Sequence, residues 1–161
     1  MKEMFHQKGV SLVEVIVAAA IIVIVVLGLF SGYIMYFRVG VEVVGRVQAI
    51  LLAEEAIEAV KFLRDDSWDV NIEPLTLNQP YYLVATSSTW KATTTPSILF
   101  GKFTRSMRLY SVNRDSNGSI VTSGGTLDLG TKKVVVTIWW STSSGSTTRT
   151  LSTYISDIFN E

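Results

Sequence analysis

The hydrophobic pattern of the chain changes character twice. From Val10 to Phe37 it reads VSLVEVIVAAAIIVIVVLGLFSGYIMYF, 28 residues with one ionisable side chain, Glu14. As a helix this run would measure about 42 Å, more than the roughly 30 Å of a bilayer's hydrocarbon core. From Arg38 to about Arg64 the texture becomes amphipathic. Val43, Val47, Ile50, Ile57 and Val60 recur at roughly helical spacing with Ala53 filling the gap, while Glu42, Gln48, Glu54, Glu55, Glu58 and Lys61 take other positions. No proline occurs before Pro74. The pattern predicts one helix from Val10 to about Asp65, with an apolar first half and one buried face in the second. Such a rod, about 84 Å long, does not fit inside a globule of this size, so one half is expected to project. Gly40 and Gly45 are its expected weak points, and Asp65-Asp66-Ser67 followed by Pro74 marks the exit into loop.

After Pro74, Ser, Thr, Gly and β-branched residues take over. The expected strands are Tyr81–Thr86, Phe100–Val112, Ser119–Val121, Lys133–Ser141 and Arg149–Ile155. Asn117-Gly118 is a tight-hairpin pair, and Ser143-Ser144-Gly145-Ser146 separates two good strands. Short turns favour antiparallel neighbours, so a meander of about four strands on the amphipathic helix is expected. Ser87–Ser97 reads as a polar loop. Trp139 and Trp140 fall on opposite faces of their strand, so only one of them can meet the helix. The fold class is α+β.

Composition narrows the chemistry. There is no cysteine, which excludes disulfides, thiol catalysis and cysteine metal sites. The one histidine is His6. Loss of a short leader would leave a chain without the commonest general base and metal ligand. An enzyme is therefore not expected, and no cofactor or metal is assigned.

Glu14 is the residue that does not fit a plain apolar run. A carboxylate there costs about 2.5–3.5 kcal/mol on insertion scales and is by default functional. A secretory signal peptide is a poor reading, because the apolar stretch is too long and lacks a small-x-small cleavage site. A signal anchor and a buried core helix leave Glu14 without a role. Lys2 and Lys8 before the run are balanced by Arg38 and Arg46 after it, so basic flanks decide little. The short segment ahead of it still favours an inside N-terminus with the bulk exported.

Lys8-Gly9-Val10-Ser11-Leu12-Val13-Glu14 resembles the processing motif of type IV prepilins. The resemblance implies cleavage between Gly9 and Val10 by a membrane peptidase that also methylates the new amine of Val10. Glu14 then falls at the fifth mature position, although the first mature residue is Val where the family usually has Phe. Its physical sense is that an amine and a carboxylate in hydrocarbon cost far less paired than alone. Pairing between neighbours would fix their stagger. The resemblance also implies the pilin fold, with a leader at 1–9, a transmembrane or filament-core half-helix at 10–37, an amphipathic half at 38–66 and a β-sheet head at 67–161. Ala53–Val60 and Phe103-Thr104-Arg105-Ser106 are similar to minor pilins.

The implied partners are the prepilin peptidase, other pilin subunits, an inner-membrane assembly platform and membrane lipid. The implied location is the bacterial cytoplasmic membrane, then a surface or periplasmic filament. Gly28 and Gly32 form a GxxxG spacing, readable as close helix packing, as ordinary membrane-helix glycine, or as local loosening. A membrane-anchored binding module, an adhesin or DNA-uptake receptor, is the alternative function.

Charge adds one feature. Residues 10–74 carry 4 basic and 9 acidic side chains, and residues 75–161 carry 8 and 4. The asymmetry reads as solvated surface, as head-to-stalk attraction between subunits, or as weak DNA contact through Lys91, Lys102, Arg105, Arg108 and Arg114. Those cations alternate between strand faces, so nucleic acid is not an expected partner. Asp115 with Asn117 and Gly118 reads as a β-turn rather than a calcium loop. Asp65, Asp66 and Asp69 at a helix C-terminus oppose the dipole, and a cation, Lys91 or Arg114 is a candidate partner.

Overall fold

The absence of proline and the run of helix-compatible residues produce one helix, α1, over Leu12–Asp66. The computed structural model describes residues 9, 11–87, 89–142 and 145–159, so Val10, Lys8 and the Ser143-Ser144 pair lie outside the described residues. The chain divides into two compact units, one ending at Val43 and the other beginning at Val44.

In the first unit every side chain from Leu12 to Val41 is exposed. Two local contacts stand out along it. The Ser31 hydroxyl donates back to the Leu27 carbonyl at 2.9 Å. The rings of Tyr33 and Phe37, four residues apart, lie 6.1 Å apart. The segment is long and apolar enough to cross a membrane.

In the second unit α1 buries Gly45, Ala49, Leu52, Ala53, Ala56, Ile57, Ala59, Val60 and Leu63. This corrects the expected face: Ile57 and Val60 are inside, but Val43, Val47 and Ile50 are about half exposed, at 49%, 50% and 47%. Glycine and alanine, which let backbone and sheet approach closely, make up five of the nine buried positions, with Leu52, Ile57, Val60 and Leu63 among them. The β-branched Val43, Val47 and Ile50 lie outside. Gly45 is buried for this reason. A Cβ there would sit 3.2 Å from the Lys102 ammonium and 3.5 Å from the Trp140 indole nitrogen.

α1 ends where expected. Ser67 caps a short α2, Trp68–Asn71, by accepting from the Val70 amide. The Asn71 side chain reaches back to donate to the Leu63 carbonyl at 3.1 Å.

Among the described residues seven strands follow: β1 Tyr82–Ala85, β2 Trp90–Thr93, β3 Ile98–Leu99, β4 Phe103–Arg114, β5 Ile120–Val121, β6 Thr126–Thr142 and β7 Gly145–Ser156. The main sheet runs β3-β4-β6-β7 with β5 also on β4, and all its pairs are antiparallel. A separate pair joins β1 to β2. The expected polar loop Ser87–Ser97 therefore contains a strand. Trp90 and Ala92 pack against the core, so the short segment has enough apolar surface to hold its pairing with β1.

The expected strand beginning at Phe100 begins instead at Phe103. Phe100 and Gly101 occupy a turn with φ of 51° and 64°, closed by the Lys102 amide on the Leu99 carbonyl at 3.1 Å. Positive φ at both central residues belongs to tight hairpin turns, and Asn-Gly is the usual pair for it. The Asn117-Gly118 turn differs: only Gly118, at φ 79°, takes a positive φ, and its amide closes the turn on the Asp115 carbonyl at 3.1 Å. The Asp115 carboxylate accepts from the amides of Asn117 and Ser119, both at 2.9 Å, as a β-turn requires.

The inner sheet face supplies Phe103, Met107, Leu109, Val134, Val136, Ile138, Trp140 and Ile155 to the core, with Trp68, Ile72, Tyr81 and Leu83 closing its edges. Trp140 is the inward tryptophan at 1% exposure, and Trp139 faces out at 43%.

Candidate functional site

The helix start carries the residues on which the motif rests. Ser11 directly precedes α1, and its carbonyl accepts from the Val15 amide at 3.2 Å. Ser11 is thus the N-cap and Glu14 the third helical residue, the two positions of a capping box. Ser11-x-x-Glu14 has the residue types of that box, and the observed first residue of α1 gives it the register. Glu14 is exposed and lies in the first turn, where a carboxylate favours the helix dipole. Gly9 is exposed. Val10 lies outside the described residues.

Gly28 and Gly32 share one face. Among the described residues nothing lies within 4 Å of where either would carry a Cβ. Their small size therefore serves no contact within the described chain.

Among the described residues, the core of the second unit holds one charged side chain. Arg105 is 3% exposed. It sits on the inward face of β4, where apolar residues alternate with it. Its guanidinium reaches Glu55 at 3.0 Å, the Leu52 carbonyl at 3.3 Å and the Leu83 carbonyl at 3.5 Å, and lies 5.4 Å from the Trp90 ring centre. One side chain thereby ties α1 to both strands of the small sheet. Its Nε has no hydrogen-bond partner. This corrects the reading of Arg105 as part of a DNA-facing set. Period-two alternation carries the signal, since Phe103, Met107 and Leu109 share the face of Arg105 while Thr104, Ser106 and Arg108 take the other.

Arg114 is also committed within the chain. It donates to Asp128 at 2.6 Å, to the Gly118 carbonyl at 2.8 Å and to the Thr131 hydroxyl at 3.2 Å. Hydrogen bonds from Thr131 and Arg114 hold the Asp128 carboxyl below its ordinary value. This cluster pins the irregularity where β4 and β6 lose register between Ser111 and Val112.

At the end of α1, Asp65 meets Arg64 at 2.7 Å and Asp66 accepts from Asn71 at 2.9 Å. The partners are thus local, and neither is Lys91 or Arg114. Among the described residues no group of three or more carboxylates or histidines is arranged to hold a metal.

The chain matches no curated protein and no solved structure. Residues 4–30 match the prokaryotic N-terminal methylation motif, a stretch that includes Gly9, Val10, Glu14 and Gly28. Such a motif implies processing by a prepilin peptidase and assembly with other pilins, and the apolar helix fits membrane anchoring before assembly. A type IV prepilin-like signature thus opens a long apolar helix that is followed by antiparallel sheets, and it marks the chain as a type IV pilin-like protein.

Proposed function

We propose that this protein is a structural subunit, a minor one, of a type IV pilus or a related pseudopilus. Cleavage falls between Gly9 and Val10, and Val10 carries the methyl group. Glu14 then pairs with the amine of Val10 on a neighbouring copy, and Gly28 with Gly32 forms a helix-packing face. The supporting observation is the exposure of the whole apolar run from Leu12 to Val41, which has no partner surface within its own unit. Lipid before assembly and other pilin helices after it supply that partner. The absence of cysteine supports a minor subunit, since major pilins often carry a C-terminal disulfide loop.

Two roles of Glu14 are separable. Glutamine also serves at the third position of a capping box, but it carries no charge. In the native host, Glu14→Gln and Glu14→Ala are both expected to be processed and inserted, and both to enter filaments at least tenfold less than the parent, as read by immunoblot of sheared filaments. Normal incorporation of Glu14→Gln with loss of Glu14→Ala would reduce Glu14 to a cap and remove the charge-pairing role.

A further inference from the structure

One end of the main sheet is built unlike the rest of the second unit. At the β3–β4 turn, Phe100 holds a left-handed backbone conformation, φ 51°, and is 85% exposed. A bulky aromatic residue at positive φ is an outlier, and asparagine or glycine would make the same turn without it. Ile98, in β3 just before the turn, is 69% exposed. Ile98 and Trp139 both pair with Thr104, so the three lie in one cross-strand row on one face. Trp139 is 43% exposed. Two aromatic rings and an isoleucine therefore gather, exposed, at one end of the sheet.

The exposed charges of these segments have one sign. Thr95–Arg105 and Thr137–Arg149 contain no carboxylate, and with Arg105 inward and paired with Glu55 their exposed charges are Lys102 and Arg149. Lys102 belongs to the turn itself.

The rim is also held against a particular point of α1. Lys102 and Trp140 are the neighbours of Gly45. Gly45 follows Phe37, the last residue of the apolar run, by eight positions. Eight residues therefore separate, along the chain, the point of α1 beside the rim from the end of the run, at most about 29 Å even when fully extended. The headgroup zone on each side of the hydrocarbon core is about 5–8 Å deep, and an aromatic side chain projects several more toward it.

We propose that, while the apolar run spans the membrane, the Ile98–Phe100–Lys102–Trp139 rim docks on the bilayer surface, with its rings in the headgroup zone and Lys102 at anionic lipid phosphates. Aromatic rings with a basic neighbour are the composition that favours this zone. The strained turn then has a use, because it presents Phe100 outward. The proposal rests on the apolar run being in a bilayer. It does not depend on Glu14, on cleavage or on the kind of filament.

The test uses the full-length chain, reconstituted at low density in vesicles of phosphatidylcholine and phosphatidylglycerol that carry a phospholipid with a photoactivatable group near the headgroup. Adducts are mapped by mass spectrometry. The expected adducts fall on α1 and on the peptides containing Ile98–Phe103 and Trp139, with none at the Asp115–Ser119 turn at the far end of β4. Phe100→Asn combined with Ile98→Ser should lower labelling at Trp139 at least threefold and leave α1 labelling unchanged. Adducts on α1 alone, or equal labelling of the rim and the Asp115–Ser119 turn, would overturn rim docking while leaving the anchored helix intact. Absence of adducts from α1 as well would overturn the bilayer premise and the docking with it.

Discussion

Arg105 offers the sharpest test of what holds the second unit together. Its stem is fully buried and its head makes one short contact, to Glu55, which is itself 48% exposed. An ion pair with one half-exposed partner is worth about 0–1 kcal/mol. The two carbonyl contacts are long, and the Leu52 carbonyl belongs to a helix that already uses it. The stacking on Trp90 adds about 1 kcal/mol. Against these stands an Nε with no partner, a cost of about 1–3 kcal/mol.

The polar head therefore comes out near balance, and the packed stem carries the stability. Arg105→Ala removes the stem and leaves a cavity between helix and strands, with an expected loss of about 3–4 kcal/mol. Arg105→Met restores the volume without the charge and should cost about 1 kcal/mol or less. Urea unfolding of the full chain in detergent, followed by tryptophan emission, reads both values, and Trp90 is a reporter beside the mutation. If Arg105→Met is as damaging as Arg105→Ala, the guanidinium rather than its stem is the stabilising element and the reasoning fails.

Two further outcomes follow from local geometry. Asp128 has a depressed carboxyl, so its contribution is fully present above the ordinary carboxylate range and is lost as pH falls through the lowered folded value. Asp128→Asn should cost about 1–2 kcal/mol at neutral pH and flatten the acid limb of a stability-versus-pH curve measured by urea unfolding; an unchanged limb would remove Asp128 from acid sensitivity. Gly45→Ala should raise the melting temperature, with a gain of about 0.5–1 kcal/mol from helix propensity, because the nearest atom to the new methyl is the movable end of Lys102. Gly45→Leu should lower it by forcing Trp140 aside, and a melting temperature at or above the parent's for that variant would contradict the close approach.

The parts of the fold that were legible in the sequence were those set by composition over long windows. The helix limits follow from the apolar run and from Asp65-Asp66-Ser67, and the main strands follow from β-branched runs with Asn-Gly between them. The helix face was only partly legible, because β-branched residues at helical spacing mark a stripe and alanine gives no such signal. At a helix packed closely on a sheet, small residues mark the contact, and Val43, Val47 and Ile50 are left outside. Strand β2 was missed because Thr and Ser on either side of Trp90 look like loop, and its pairing with β1 is a tertiary choice. The turn at Phe100-Gly101 was missed because phenylalanine is a strand former and gives no sign of a positive φ. At the helix start, the residues matched by the methylation motif were legible from Gly9 and Glu14, whereas the capping-box reading of Ser11 with Glu14 needed the observed first residue of α1.

The two parts of α1 answer to different physics, and this explains why one carries information that the other lacks. Between Gly45 and Leu63 the buried stripe is fixed by what it touches, and a change there is felt as stability. Between Leu12 and Val41 nothing in the same unit constrains the sequence beyond being apolar and helical. A charged residue there lowers insertion by about 2.5–3.5 kcal/mol, more than the roughly 0.3–1 kcal/mol a first-turn carboxylate returns through the helix dipole, so the proposed role of Glu14 lies in an interaction outside its unit. The same reasoning applies to Gly28 and Gly32: glycine weakens a helix by about 1 kcal/mol against alanine, and no close neighbour within the described chain offsets that. What these three residues contribute is expected to show only when other helices or lipid surround them.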